Sequence, residues 1–279
     1  MTPLTGHAET LTRLCAVPYL NAQPLVYGLT RQRLRALGLS LSFELPRLCA
    51  RRLAQRQVHI GLIPAIEYAR IDGLVIAPNL CIGASSEVRT VLLVSEVPLA
   101  HIERILLDYS SSSSAALVRI LCRRKWGIQP EFVETEPGYE AYIGGRSAGL
   151  IIGDRAFDHL GRWPHVRDLA WEWVSWTGMP FVFALWAGYP EHLTFERALL
   201  LQSSLQEGLQ NRARIARAWQ REHGGALGQY LDYLENRVEY ELDRSKLAGL
   251  RRFWELACEE GLIPAVPPLQ FVSIASLVT

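Results

Sequence analysis

The chain lacks three features that point to particular function classes: paired cysteines, a net charge larger than +1 and a long apolar run. Its five cysteines, Cys15, Cys49, Cys81, Cys122 and Cys258, are odd in number, widely spaced and set in apolar contexts, with no CxxC pair. That pattern argues against a disulfide framework and against a thiolate zinc site. Basic and acidic side chains nearly cancel, 29 Lys and Arg against 28 Asp and Glu. Nothing therefore draws the whole chain to nucleic acid or to an anionic membrane. Arg51-Arg52 and Arg123-Arg124-Lys125 are the notable basic clusters, and each ends or follows a helical pattern, where cations complement the helix dipole. Met1 to Leu14 is interrupted by His7, Glu9 and Arg13, so it has no apolar core of a signal peptide, and no other stretch reaches membrane length. The expectation is a cytoplasmic protein without a nucleic acid partner and without membrane insertion. The histidines, His7, His59, His101, His159, His165, His192 and His223, sit mostly in polar, surface-like settings, which gives a His-based triad or metal centre little support.

What is present is an alternation of short apolar runs with amphipathic stretches. With 279 residues, 49% of them hydrophobic, the chain is long enough for two domains and should bury about three quarters of its unfolded surface. Runs at Arg13 to Val17, Leu41 to Leu45 and Val58 to Ile63 are each followed by a helical pattern, at Leu25 to Leu37, Leu48 to Arg56 and Ala65 to Arg70. This is the rhythm of a parallel sheet with crossover helices. Further strands are expected at Leu74 to Ala77, Leu80 to Ile82 and Thr90 to Val94, before a second alternating series opens at Ile105 to Leu107. It continues with a helix at Ala115 to Lys125, strands at Glu131 to Val133 and Gly149 to Ile152, and short helices near Tyr139 to Ile143 and Asp154 to Leu160. An apolar strand at Phe181 to Trp186 then precedes a wholly helical tail. There Leu201, Leu205 and Leu209, and Leu247, Leu250, Trp254 and Ala257, form buried stripes, with Asp243 as N-cap and Gly261 as stop of the last helix. The fold expected is α/β and two-lobed, each lobe a mainly parallel sheet flanked by helices. Lobe 1 takes residues 1–94 and 186–279, and lobe 2 is inserted as residues 95–185.

In such an arrangement the ligand lies between the lobes, where loops at the carboxyl ends of strands converge. Those loops are rich in small polar groups. Ser110 to Ser114 precedes a helix, where hydroxyls, free N–H groups and the helix dipole together suit a carboxylate or phosphate, although a serine run is also an ordinary loop. Glu67 and Asp154 stand at loop-to-helix positions, where an acid either complements the dipole or faces the ligand. Asn21 follows the first strand, and its amide suits turn capping or a substrate hydroxyl.

Taken in order, five stretches resemble the chorismate dehydratase family of the futalosine route to menaquinone. They are Val17-Pro18-Tyr19-Leu20-Asn21-Ala22-Gln23-Pro24-Leu25, Gly61-Leu62-Ile63-Pro64-Ala65-Ile66-Glu67-Tyr68, Cys81-Ile82-Gly83 with Glu87-Val88-Arg89-Thr90-Val91, Ile151-Ile152-Gly153-Asp154, and Trp176-Thr177-Gly178-Met179-Pro180-Phe181-Val182-Phe183-Ala184. The resemblance implies a fold like that of type II periplasmic binding proteins and loss of water from chorismate to give 3-[(1-carboxyvinyl)oxy]benzoate, with no metal or organic cofactor. It implies catalytic roles for Asn21 and for Thr90, where relatives often have Ser. It implies that Ser111, Ser112, Ser113 and Ser114 grip a substrate carboxylate, with Ser86, Arg89, Gly153, Asp154 and Pro180 as further substrate contacts. Here the family's segment Ser-x-Thr-Ser has its usual Arg and Thr replaced by Ser. A non-catalytic carboxylate-binding protein of the same fold is the alternative, and the route's enzyme for the cyclic dehypoxanthine intermediate fits the Tyr19-Leu20-Asn21 loop less well.

Overall fold

The computed structural model describes residues 11–272, so the part of the N-terminal reading that rests on residues 1–10, His7 included, lies outside the described residues. Among the described residues the strands are β1 (Thr12–Ala16), β2 (Leu39–Phe43), β3 (Ile60–Pro64), β4 (Val75–Ala84) and β5 (Val91–Ser95). They continue as β6 (Arg104–Leu107), β7 (Glu131–Glu134), β8 (Ser147–Ile152), β9 (His165–Asp168) and β10 (Phe181–Gly188). Two sheets result, in the orders β2-β1-β3-β10-β4 and β7-β6-β8-β5-β9. In the first, β1 runs parallel to β2 and β3, and β10 lies antiparallel between β3 and β4. The second repeats the plan, with β6 parallel to β7 and β8, and β5 antiparallel between β8 and β9. Every residue of β3 and of β5 is buried, as expected of strands covered on both faces by helices.

The antiparallel strand in each sheet is contributed by a chain segment arriving from the other sheet. The chain leaves β4, enters the second sheet as β5 and returns to the first as β10. The lobe boundaries expected at 94/95 and 185/186 therefore fall inside β5 and β10. Those apolar runs are whole strands paired along their length, and the short segments 85–90 and 178–180 make the crossings.

Three local expectations change. The single helix at Leu25 to Leu37 is two, Gln23–Val26 and Arg31–Ala36, the second capped by Thr30, whose hydroxyl accepts from the Arg33 N–H at 3.3 Å. Between them the Gly28 backbone presses on the helix Phe195–Gln210: its N–H donates to Ser204 Oγ at 3.0 Å, and a Cβ there would lie 2.8 Å from Ser204 Cα. The two strands expected at 74–77 and 80–82 are one, β4, with an irregular register around Pro78 and Asn79, the latter in the left-handed region at φ +61°. Sequence reading missed β9 and the helix Leu169–Thr177. β9 is a largely exposed edge strand without an apolar run, and beside Leu169, Ala170 and Glu172 the helix carries three Trp, a Val, a Ser and a Thr, which are weaker helix formers. Its start is secured by Asp168, which accepts from the N–H groups of Ala170 and Trp171.

The tail packs largely as its stripes predict. Leu201, Leu205, Leu250, Trp254 and Ala257 are buried and Leu209 and Leu247 only partly so, Asp243 caps Arg244–Glu259 by accepting from the Lys246 N–H at 2.8 Å, and Gly261 follows it at φ +69°. That helix seats against the return crossing at Gly249, where a Cβ would stand 2.0 Å from the Pro180 carbonyl oxygen. Trp173, Phe181 and Phe253 meet edge-on beside it, each burial contributing about 1.5–3 kcal/mol. The five cysteines are all free. No helix among the described residues is long and apolar enough to cross a membrane.

Candidate active site

Between the sheets lies a cleft enclosing about 560 Å³, part of it open to solvent. Its walls are the segments after β1 (Val17, Tyr19, Asn21), after β2 (Pro46), after β6 (Ser111, Ser114) and after β8 (Gly153), with the end of β3, Val88 and Thr90 of the crossing, Val91 of β5, and Phe183 and Ala184 of β10. Loops at the carboxyl ends of parallel strands thus converge there. Among the described residues lining it there is no Asp, Glu, Lys, Arg or His. Charge in a ligand must therefore be met by hydroxyls, amides and backbone dipoles.

Asn21 stands in a single helical turn, Leu20–Ala22. Its Nδ2 donates to the Tyr233 hydroxyl at 3.2 Å, while its buried Oδ1 has no hydrogen-bond partner among the described residues. A buried acceptor left unpaired costs about 1–3 kcal/mol, so it marks a place where a ligand donor is missing. Thr90, 1% exposed, lies with its Oγ1 2.9 Å from the same Tyr233 hydroxyl. Burial pushes the Tyr233 phenol well above its ordinary range, so it stays a neutral donor and acceptor.

The serine run divides its work. Ser111 caps the helix Ser112–Ile120, accepting from the Ser114 N–H at 3.3 Å, and its own hydroxyl donates to Ser114 Oγ at 2.9 Å; both residues line the cleft. Ser113 turns away and accepts from the Ile66 N–H at 3.2 Å. Ser112 lines a separate groove with Arg47, Arg70 and Arg119. Ser110 donates to Asp108 through N–H and hydroxyl, and its Oγ is 3.1 Å from the Tyr19 hydroxyl. Asp108, fully buried, pairs with Arg155, which also pairs with Glu140, so an anchored ion pair underlies the loop. The geometry brings Ser111 and Ser114 to the ligand space, not all four serines.

The remaining expected contacts separate likewise. Gly153, at φ +69°, lines the cleft; a Cβ there would stand 3.2 Å from the Tyr19 ring, and its N–H donates to the Thr90 carbonyl at 2.8 Å. Asp154 does not line it. Its carboxylate reaches from the second lobe to the first and accepts the Leu20 N–H at 3.1 and 3.2 Å, and burial pushes its pKa up to about 7. It therefore holds the Asn21 turn in place. Arg89, exposed and at φ +62°, directs its guanidinium to Asp232 at 3.3 Å and Glu87 at 3.8 Å, outside the cleft. Ser86 does not line the cleft either, and Pro180 is packed under Gly249. Glu67 pairs with Arg70 at 2.8 Å.

Sequence reasoning missed Tyr19 and Tyr233 as site residues. Tyr19 lay in a quoted motif, but Tyr233, 143 positions beyond Thr90, sits in the helical tail with no local signal. Among the described residues no group of three or more His, Cys, Asp or Glu gathers as a metal site requires.

Known proteins share this architecture. A protein of Archaeoglobus fulgidus superposes with a TM-score of 0.69 at 17% identity, over 90% of this chain and 98% of that one. The periplasmic aliphatic sulphonate-binding protein of Escherichia coli gives 0.62 at 15% identity, over 93% and 96%. The alkanesulfonate-binding protein of Xanthomonas axonopodis pv. citri, bound to MOPS, gives 0.63 at 14%, over 94% and 96%. The fold is thus that of periplasmic binding proteins, two lobes around a cleft. A curated relative, the chorismate dehydratase of Thermus thermophilus, is 29% identical over 257 residues, 85% of this chain and 92% of its own. The family model described as menaquinone biosynthesis matches residues 12–259, and the chain belongs to that family.

Proposed function

We propose that the protein is a chorismate dehydratase, a carbon–oxygen lyase acting in the cytoplasm on the futalosine route. The observation that carries this reading is Asn21: a buried amide oxygen without a partner among the described residues, in a cleft whose described lining holds no charged side chain. The Thermus thermophilus relative supports the choice of substrate. In this reading the lobes part and close about the crossings at 85–90 and 178–180, and Ser111 and Ser114, at the start of Ser112–Ile120, receive one carboxylate of chorismate.

The chemistry suits a cleft without a charged base. The ring proton beside the enolpyruvyl ether is vinylogous to the ring carboxylate, so its departure leaves a delocalised anion. The enolpyruvyl carboxylate of the substrate takes that proton. The C–H electron pair forms the new ring double bond, the neighbouring C–O pair leaves with the hydroxyl oxygen, and the proton held by the enolpyruvyl carboxyl passes to that oxygen, so that water departs and the carboxylate is restored. Aromatisation drives the step. The protein contributes fixed geometry, exclusion of water and hydrogen bonds to the departing hydroxyl, whose hydrogen Asn21 Oδ1 accepts and whose oxygen Thr90 can address.

Incubation of the purified protein with chorismate, followed by chromatography, tests the reading. Accumulation of 3-[(1-carboxyvinyl)oxy]benzoate is the expected result. Chorismate recovered bound and unchanged overturns the enzyme and leaves a carboxylate-binding protein.

A further inference from the structure

We propose that Tyr233 is a positioning residue for this reaction: its hydroxyl relays hydrogen-bond donation from the Asn21 amide to Thr90, so that the cleft receives an acceptor from Asn21 and a donor from Thr90. The proposal rests on the dehydratase reading of the site.

The argument is one of hydrogen counting. Asn21 Nδ2 can only donate, and it donates to the Tyr233 oxygen at 3.2 Å. The Tyr233 hydrogen must then go elsewhere, and among the described residues the one other partner of that hydroxyl is Thr90 Oγ1 at 2.9 Å. Were Thr90 to donate to Tyr233 instead, the phenol hydrogen would be left unpaired at a fully buried position, at a cost of about 1–3 kcal/mol. With Tyr233 donating, Thr90 keeps its own hydrogen for the cleft that it lines. With Nδ2 on the Tyr233 oxygen, the Asn21 amide has its Oδ1 free. Deleting the Tyr233 hydroxyl thus releases both groups at once.

The backbone around Tyr233 supports the assignment. The helix Leu227–Asp232 widens into a π turn over Tyr233–Arg237, an irregularity that commonly marks a functional position. The ring is held edge-on by Phe157, at 5.2 Å and 86°, from the segment Gly153–His159 of the second lobe. Tyr233 therefore takes its place from one lobe and serves groups on the other lobe and the crossing. A hydroxyl needed only for core packing has no reason to touch both candidate catalytic residues.

The test uses the Tyr233→Phe, Thr90→Val and double variants of the full chain, with kcat and KM for chorismate and the side-chain amide signal of Asn21 in nitrogen-15 NMR, identified by its loss in Asn21→Ala. The relay predicts that Tyr233→Phe lowers kcat by about 10-fold or more with KM held within about threefold, that the loss is smaller but still present in the Thr90→Val background, where the hydroxyl still holds Asn21, and that the Asn21 amide protons lose their exchange protection. Unchanged kcat, equal losses in kcat and KM, or additive losses overturn it. If Tyr233→Phe does not fold, Tyr233→3-fluorotyrosine keeps ring and hydroxyl while strengthening the donor: a relay shifts kcat alone, and an inert hydroxyl shifts nothing. Should the unaltered protein leave chorismate intact, the dehydratase reading fails by that result, while the amide signal still reports whether Tyr233 holds Asn21.

Discussion

Asn21 and the serine run are the two polar regions of the cleft, and they differ in how their hydrogen bonds are used. Ser110, Ser111 and Ser113 have partners inside the protein, in Asp108, Ser114 and the Ile66 N–H, and the loop rests on the Asp108–Arg155 ion pair. Asn21 is half satisfied, its amide nitrogen bonded and its oxygen not. A rigid, internally bonded wall is suited to holding a carboxylate equally well throughout a reaction. A single buried atom kept without a partner is suited to a bond that forms only as the hydroxyl departs. The lesson is that the number of hydroxyls in a loop says less about chemistry than one unsatisfied atom.

Substitutions break this contrast in graded ways. Asn21→Ala should lower kcat by about 10²- to 10³-fold with little change in KM, as expected of a bond realised in the transition state. Ser113→Ala should do the reverse in kind: it strands the buried Ile66 N–H, so denaturant titration should show a loss of about 1–3 kcal/mol with kinetic constants nearly unchanged. Ser114→Ala, on the cleft wall, should raise KM by up to about 10-fold with kcat nearly constant, the signature of uniform binding. Arg89→Ala should change kcat/KM by no more than about threefold, because its guanidinium lies in exposed ion pairs away from the ligand.

Asp154 sharpens the comparison through pH. Its pKa is pushed up to about 7 from 3.8 by burial, with the Leu20 N–H opposing. Between those values the folded protein holds a proton that the unfolded chain has released, so this group's contribution to stability falls as pH rises from about 4 to about 7 and is flat above. Asp154→Asn should remove that slope, making the variant relatively more stable at pH 8 than at pH 5 in thermal melts. An unchanged slope would assign the pH dependence to other groups.

Much of the fold was legible because periodicity survives in tertiary structure. The runs that became β3, β5 and β8 are apolar on both faces for most of their length, and Asp243 and Gly261 marked a helix by local chemistry alone. The helix Leu169–Thr177 escaped because its central Trp173 is placed by tertiary contacts with Phe181 and Phe253, which no local pattern identifies. The site was legible in part for the same reason. Asn21, Thr90, Ser111, Ser114 and Gly153 stand on loops whose position follows from strand order. Tyr233 is brought to them by the return of the tail, and Asp154, Arg89 and Pro180 are turned from the ligand by the Leu20 N–H, by neighbouring carboxylates and by Gly249, partners no local pattern identifies.

The most direct measurement is a single-turnover experiment with chorismate, comparing the unaltered protein and Asn21→Ala for binding and product in the same samples. The account predicts 3-[(1-carboxyvinyl)oxy]benzoate from the unaltered protein, and from the variant chorismate affinity within about threefold but product formed at least about 100-fold more slowly. Chorismate bound but returned intact by the unaltered protein, or equal loss of affinity and rate in the variant, would contradict it.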